Sequence, residues 1–282
     1  MEFIKNNFLY VLWFAFYFIM AWLFLGANWD SFYKVTIIYG VSIGIALSPL
    51  GEVLFRFING ARKPATNKEK EYLEEIFKEV YRNAKGKNEN LSSNIKIHIS
   101  SSMYPNAFAC GRNTIAVTKG AINIFSEDEL KGVIAHEFGH LKYGHTKASI
   151  VTFIGNMFFS VIIAIVQLIL QVIDSISTAF AETSRNLAVI VIAGICKVCV
   201  IILNLYIFAI NIIGQLLLSA NSRRNEFQAD KFALDIGYGE ELLSSLCLLE
   251  KFNGENKLTM FQQITMSHPY MEKRIARLEE AL

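Results

Sequence analysis

Ser126-Glu127-Asp128-Glu129-Leu130-Lys131-Gly132-Val133-Ile134-Ala135-His136-Glu137-Phe138-Gly139-His140 is the stretch on which the reading of this chain turns. Ser126 with Glu129 three residues on is a capping box, so a helix starts here. On that helix the H-E-x-x-H spacing puts His136 and His140 on one face, one turn apart, where both imidazoles can grip one ion. Zinc suits nitrogen ligands, and a catalytic zinc keeps one position for water, whose pKa it lowers to about 7. Glu137, beside the first imidazole, is placed to act as general base. The bland alternative is an amphipathic helix that happens to hold two of the chain's five histidines.

A third ligand has to come from elsewhere. A histidine six residues beyond the second is not available, because that position is Thr146 and His145 falls one residue short. The candidate moves downstream to Asn225-Glu226-Phe227-Gln228-Ala229-Asp230. There Glu226 would bind the metal, and Asp230, one turn later, could hold the second nitrogen of a ligand histidine. The alternative is a solvated acidic helix face.

Working outward, 53% of the 282 residues are hydrophobic and only 18% charged, with a mean hydropathy of +0.35. The apolar residues come in long blocks, which describes a polytopic membrane protein. A net charge of +2 is too near neutrality for a nucleic-acid partner, which needs concentrated Lys and Arg. The four cysteines are scattered and imply no disulfide framework; Cys196-x-x-Cys199 lies inside an apolar block, where thiols usually serve as small hydrophobes.

Four apolar segments are each long enough to span a bilayer: about 8–27, 35–58, 150–173 and 187–218. The first is too long for a signal-peptide core and lacks an A-x-A site, so it reads as a retained span. The organisation expected is a transmembrane hairpin at 1–58, the first part of a catalytic domain at 59–149, a second hairpin at 150–218, and the rest of the domain at 219–282. Lys5, Arg56, Arg62, Lys63, Arg223 and Arg224 flank one side of the spans, and an even number of spans places both termini and both soluble pieces on that side, the cytoplasmic one. Within them, Leu73, Ile76, Phe77, Val80 and Tyr81 mark an amphipathic helix over Lys68–Ala84. Alternating Ile95, Ile97 and Ile99 and β-branched Thr114–Thr118 predict a small sheet.

These motifs together resemble the membrane-integrated gluzincin peptidases, the family of the HtpX-type and CaaX prenyl-protein proteases. The likeness is carried by H-E-F-G-H, by N-E-F-Q-A-D after two spans, by Pro105–Gly111, and by Ser267-His268-Pro269 with Arg274-Ile275. It implies a mainly α integral membrane fold, with four transmembrane helices and a cytoplasmic α+β zincin-like domain carrying a small sheet. It implies one zinc per chain held by His136, His140 and Glu226, and an edge strand over Asn106, Ala107, Phe108 and Ala109 along which an extended substrate pairs. His268 and Arg274 match positions at the family's active site, where a donor could stabilise the oxyanion. Without the resemblance, His268 reads as a capping or surface histidine. The four-span length favours the HtpX type, which implies hydrolysis of misfolded or damaged membrane proteins in a bacterial or archaeal plasma membrane, as part of stress response and quality control. The polypeptide substrates and the bilayer are then the partners. Prenyl-protein processing is the second reading, and a non-catalytic zinc-binding scaffold the third. His145, where the family often has an acidic residue, is expected at the surface.

The last apolar segment, about 48 Å as a helix, outruns a bilayer core of roughly 30 Å and should protrude. On one continuous helix Lys197, Asn204, Asn211, Gln215, Ser219, Glu226 and Asp230 share a sector of about 100°. Asn156, Ser160, Gln167, Gln171 and Asp174 share a face of the preceding span, and the two lines are expected to face each other, as a hydrogen-bond seam or a hydrated groove.

Overall fold

The computed structural model describes residues 7–88, 90–183, 186–253 and 271–282; Lys5 and Ser267-His268-Pro269 lie outside the described residues, as does the side chain of Asn156. Two apolar helices open the chain, α1 (Phe8–Phe24) and α2 (Trp29–Leu47). Asn28 caps α2 in a reciprocal capping box with Ser31, and Trp22 of α1 donates to the Asn28 carbonyl at 2.9 Å, which closes the hairpin. The turn is therefore shorter than expected, with Trp29 and Asp30 already helical.

The second apolar segment is not one span over 35–58. It breaks at Ser48, whose extended backbone and side chain cap a separate helix, α3 (Pro49–Ile58). Proline lacks the N–H that α2 would need to continue, and it suits the first helical position of α3. Gly51 makes the corner: a Cβ there would lie 2.5 Å from the Ala46 carbonyl oxygen.

The soluble part begins with β1 (Ala61–Arg62) and the capped helix α4 (Asn67–Lys87). Strands β2 (Lys96–Ser100), β3 (Ala107–Cys110) and β4 (Thr114–Thr118) follow, then the short α5 (Lys119–Ile124). The sheet order is β1-β2-β4-β3, with β2 parallel and β3 antiparallel to β4, so β3 is an edge strand. Asn106 stands just before it, its carbonyl accepting from Thr118 N–H at 2.9 Å. The motif helix α6 (Glu127–Tyr143) starts at Ser126 and ends at Gly144, whose φ of +73° only glycine adopts without strain. Then α7 (His145–Thr183) runs on without a linker. Helices α8 (Leu187–Asp235), α9 (Gly239–Asn253) and α10 (Met271–Glu279) are the last among the described residues.

Among the described residues, three helices are long and apolar enough to cross a membrane: α2, the part of α7 over Ser160–Thr183, and α8; α1 is apolar but only 17 residues long. The 49 residues of α8 form one continuous helix, so the last span does protrude. Its end packs with α4, α6, α9, α10 and the sheet in one core that includes Leu73, Ile99, Ile134, Phe138, Phe232 and Leu242. The two soluble pieces thus fold as one unit around α6. Close approach depends on Gly139, where a Cβ would lie 2.7 Å from the Ala229 Cα of α8. Gly139→Ala is expected to lower the thermal midpoint: overpacking costs about 1–3 kcal/mol, more than the helix-propensity gain of up to about 1 kcal/mol. An unchanged or raised midpoint in differential scanning fluorimetry would contradict the contact.

The two polar lines on α7 and α8 meet only in part. Ser160 on α7 and Gln215, Ser219 and Ser222 on α8 line a cavity of about 640 Å³, and Tyr10, Trp13 and Tyr17 of α1 line it as well. Tyr17 donates to Asn211 at 3.2 Å, so α1 takes up part of the α8 line. Lys197 and Asn204 stand on the outer surface. The expected face-to-face pairing of the whole lines is corrected accordingly.

Candidate active site

One face of α6 and the protruding end of α8 build the site. His136 and His140 are one turn apart with their Nε2 atoms 3.1 Å from each other. Glu226 comes from α8, with Oε2 3.5 Å from His136 Nε2 and Oε1 3.5 Å from His140 Nε2. A tetrahedral ion about 2.0–2.1 Å from each donor needs donor–donor separations of about 3.3 Å, which these three distances bracket. His136, Glu137 and His140 also form a cluster whose donor atoms lie within 4.8 Å of one another.

The surroundings hold these donors in place. Asp230, one turn after Glu226, sets Oδ1 2.8 Å from His136 Nδ1, which leaves Nε2 turned toward the other donors. Arg274, on α10, grips Asp230 through Nε at 2.8 Å and Nη2 at 2.6 Å, and reaches Glu226 through Nη1 at 3.1 Å. Its guanidinium is engaged by the two carboxylates. Glu137 accepts from the Ala109 N–H of edge strand β3 at 2.7 Å, so the carboxylate beside the first imidazole is tied to the edge of the sheet.

Three buried carboxylates, Glu137, Glu226 and Asp230, face one buried guanidinium. That surplus of negative charge is offset by a metal or, in its absence, by a proton on His136. Burial and the Arg274 charge pull His136 down, yet Asp230 and Glu226 outweigh them and raise it to about 9. Burial pushes His140 down to about 3, which keeps it neutral and able to bind a metal. Burial also raises Glu137, moving a carboxylate toward the range where a general base works near neutral pH. The donor set and the charge both fit a divalent cation.

His145 is not at the surface. It is 3% exposed, with Nδ1 3.0 Å from His140 Nδ1 and Nε2 3.0 Å from Gln228 Oε1, and burial takes it down to about 4. The physical reason is Gly144: its left-handed backbone ends α6 and starts α7 with the first side chain of α7 beside His140. Gln228 went unnoticed in the sequence. Its only signal was its place two residues after Glu226, and local spacing does not show what a distant helix will meet.

Residues 67–282 match the model of "Peptidase family M48". A "Protease HtpX homolog" of Campylobacter hominis is 27% identical over 213 residues, 65% of this chain and 68% of that protein. "Protease HtpX" of Shewanella denitrificans is 26% identical over 195 residues, 62% of this chain and 64% of that protein, so the match takes in only about two thirds of these relatives. Among solved structures, Ste24p of S. mikatae superposes with a TM-score of 0.53 at 18% identity, covering 94% of this chain and 61% of that one, which shows a shared fold. With three helices among the described residues fit to cross a bilayer, the chain is a membrane protein. Since the family match runs through β2 to β4, the motif helix, both long apolar helices and α10, the chain belongs to peptidase family M48.

Proposed function

We propose that this is a zinc-dependent membrane endopeptidase that hydrolyses peptide bonds in misfolded or damaged membrane proteins, with its catalytic domain in the cytoplasm and four spans, α1 included. One observation carries the reading: His136, His140 and Glu226 converge from two helices beside Glu137, which is hydrogen-bonded to an edge strand. His136, His140 and Glu226 would hold the zinc, which when bound supplies a Lewis acid and lowers the pKa of water.

The chain's own residues do the rest. The edge of β3, where Glu137 accepts the Ala109 N–H, pairs with the extended backbone of a substrate, a mode that demands no particular sequence and so suits damaged proteins. Glu137 takes a proton from the attacking water and hands it to the leaving amine. Asp230 fixes the tautomer of His136, and Arg274 positions both carboxylates. His268 is the proposed oxyanion donor, by resemblance. The basic residues Arg56, Arg62, Lys63, Arg223 and Arg224 support the cytoplasmic placement, and the quality-control role rests on likeness to the HtpX proteins.

Metal analysis and casein cleavage on the same purified samples test this. Wild type is expected to hold one zinc per chain and to cut casein, whereas Glu226→Ala loses most of the zinc and the activity. Equal zinc in the two proteins would remove Glu226 from the ligand set. A prenylated peptide cut in preference to casein would favour the processing reading.

A further inference from the structure

Helix α3 has two faces with different partners. At 100° per residue Leu50, Val53, Leu54, Phe57 and Ile58 share a sector of about 140°. All five are exposed, Phe57 at 83%. The opposite face is fastened to the catalytic sheet. Glu52 accepts from Thr114 Oγ1 at 2.6 Å and from the Arg112 N–H at 3.1 Å. Arg56 stands 3.3 Å from His98 Nε2. The β3–β4 turn at Gly111 has no room for a Cβ, which would lie 2.3 Å from Glu52 Oε2; its far side is held by Thr146, whose hydroxyl donates to the Gly111 carbonyl at 2.6 Å.

We propose that α3 is an interfacial helix whose apolar stripe lies among the lipid headgroups and upper acyl chains, pinning the edge strand of the sheet to the bilayer surface. Three observations favour lipid over a protein partner. The stripe continues directly from α2, a helix fit to cross the membrane, through the corner at Ser48 and Pro49. A helix of this length that is apolar on one face and polar on the other is suited to lying in the membrane plane. Exposed Arg112 hangs from the turn that Glu52 holds, and Lys147 is near enough to feel its charge, a basic flank suited to anionic headgroups. The consequence rests on the peptidase reading: with β3 fixed at the interface, bonds in juxtamembrane segments are the ones presented to the site.

The test reads position and needs no activity. Nitroxide labels are placed one at a time at Val53, Phe57 and Asn59 of the full chain, with its four cysteines replaced, in phosphatidylcholine–phosphatidylglycerol vesicles. Labels at 53 and 57 are expected to be more accessible to oxygen than to a water-soluble nickel complex, at a depth of about 5–10 Å, with the reverse at 59. Greater nickel access at 53 and 57, a depth at the bilayer centre, or shielding from both reagents with spin–spin broadening from a second copy would each overturn the proposal. If the cysteine-free chain does not fold, a benzophenone side chain at position 57 in the native-cysteine chain gives a second readout. A phospholipid adduct near the glycerol end of the acyl chain supports interfacial placement, and a protein–protein adduct overturns it.

Discussion

Glu137→Gln is expected to keep zinc at wild-type stoichiometry while casein hydrolysis falls by at least about a hundredfold, the usual contribution of a positioned general base. The amide is nearly isosteric and is not among the three proposed ligands, so the donors 3.1 and 3.5 Å apart stay in place. Its oxygen can still accept the Ala109 N–H that Glu137 accepts at 2.7 Å, and the protein should fold normally. What it cannot do is take a proton. Turnover and zinc content measured on one preparation separate the outcomes: retained hydrolysis would point to another base, and lost zinc would place residue 137 among the ligands.

Arg274→Leu carries the second large effect. The guanidinium is buried and is shared between Asp230 and Glu226. Removing it leaves two buried carboxylates without their partner, a change that typically costs about 3–5 kcal/mol. A large drop in thermal midpoint is expected, with zinc lost to a chelator more readily than in wild type. Arg274→Lys should recover only part of this, because an ammonium cannot reproduce three directed N–H contacts on two carboxylates. A midpoint within a degree or so of wild type would show that Arg274 is not the clamp.

Much of this site could be read in the sequence because its elements are local. Ser126 and Glu129 mark the start of α6, and the β-branched run Thr114–Thr118 is β4 to the residue. Asn67–Lys87 forms the amphipathic helix expected over Lys68–Ala84. What escaped is what depends on distant partners or on one residue's geometry. Pro49 was visible in an apolar run, yet hydropathy alone extends the span through it to Ile58. His145 looks like a surface residue until the left-handed Gly144 and the distant Gln228 are placed around it. The polar line of α8 followed helical periodicity correctly, but periodicity does not reveal that Tyr17 of α1 would reach Asn211.

The join between α6 and α7 and the unbroken run of α8 constrain how this enzyme comes into being. Both imidazoles leave the ribosome before the second hairpin does, and the carboxylate that faces them emerges only after it. Until that hairpin has been made and the chain has turned back along α8, Glu226 cannot come alongside. A half-made chain therefore lacks the complete set of site residues, and cutting away the hydrophobic part would separate the pieces that must meet.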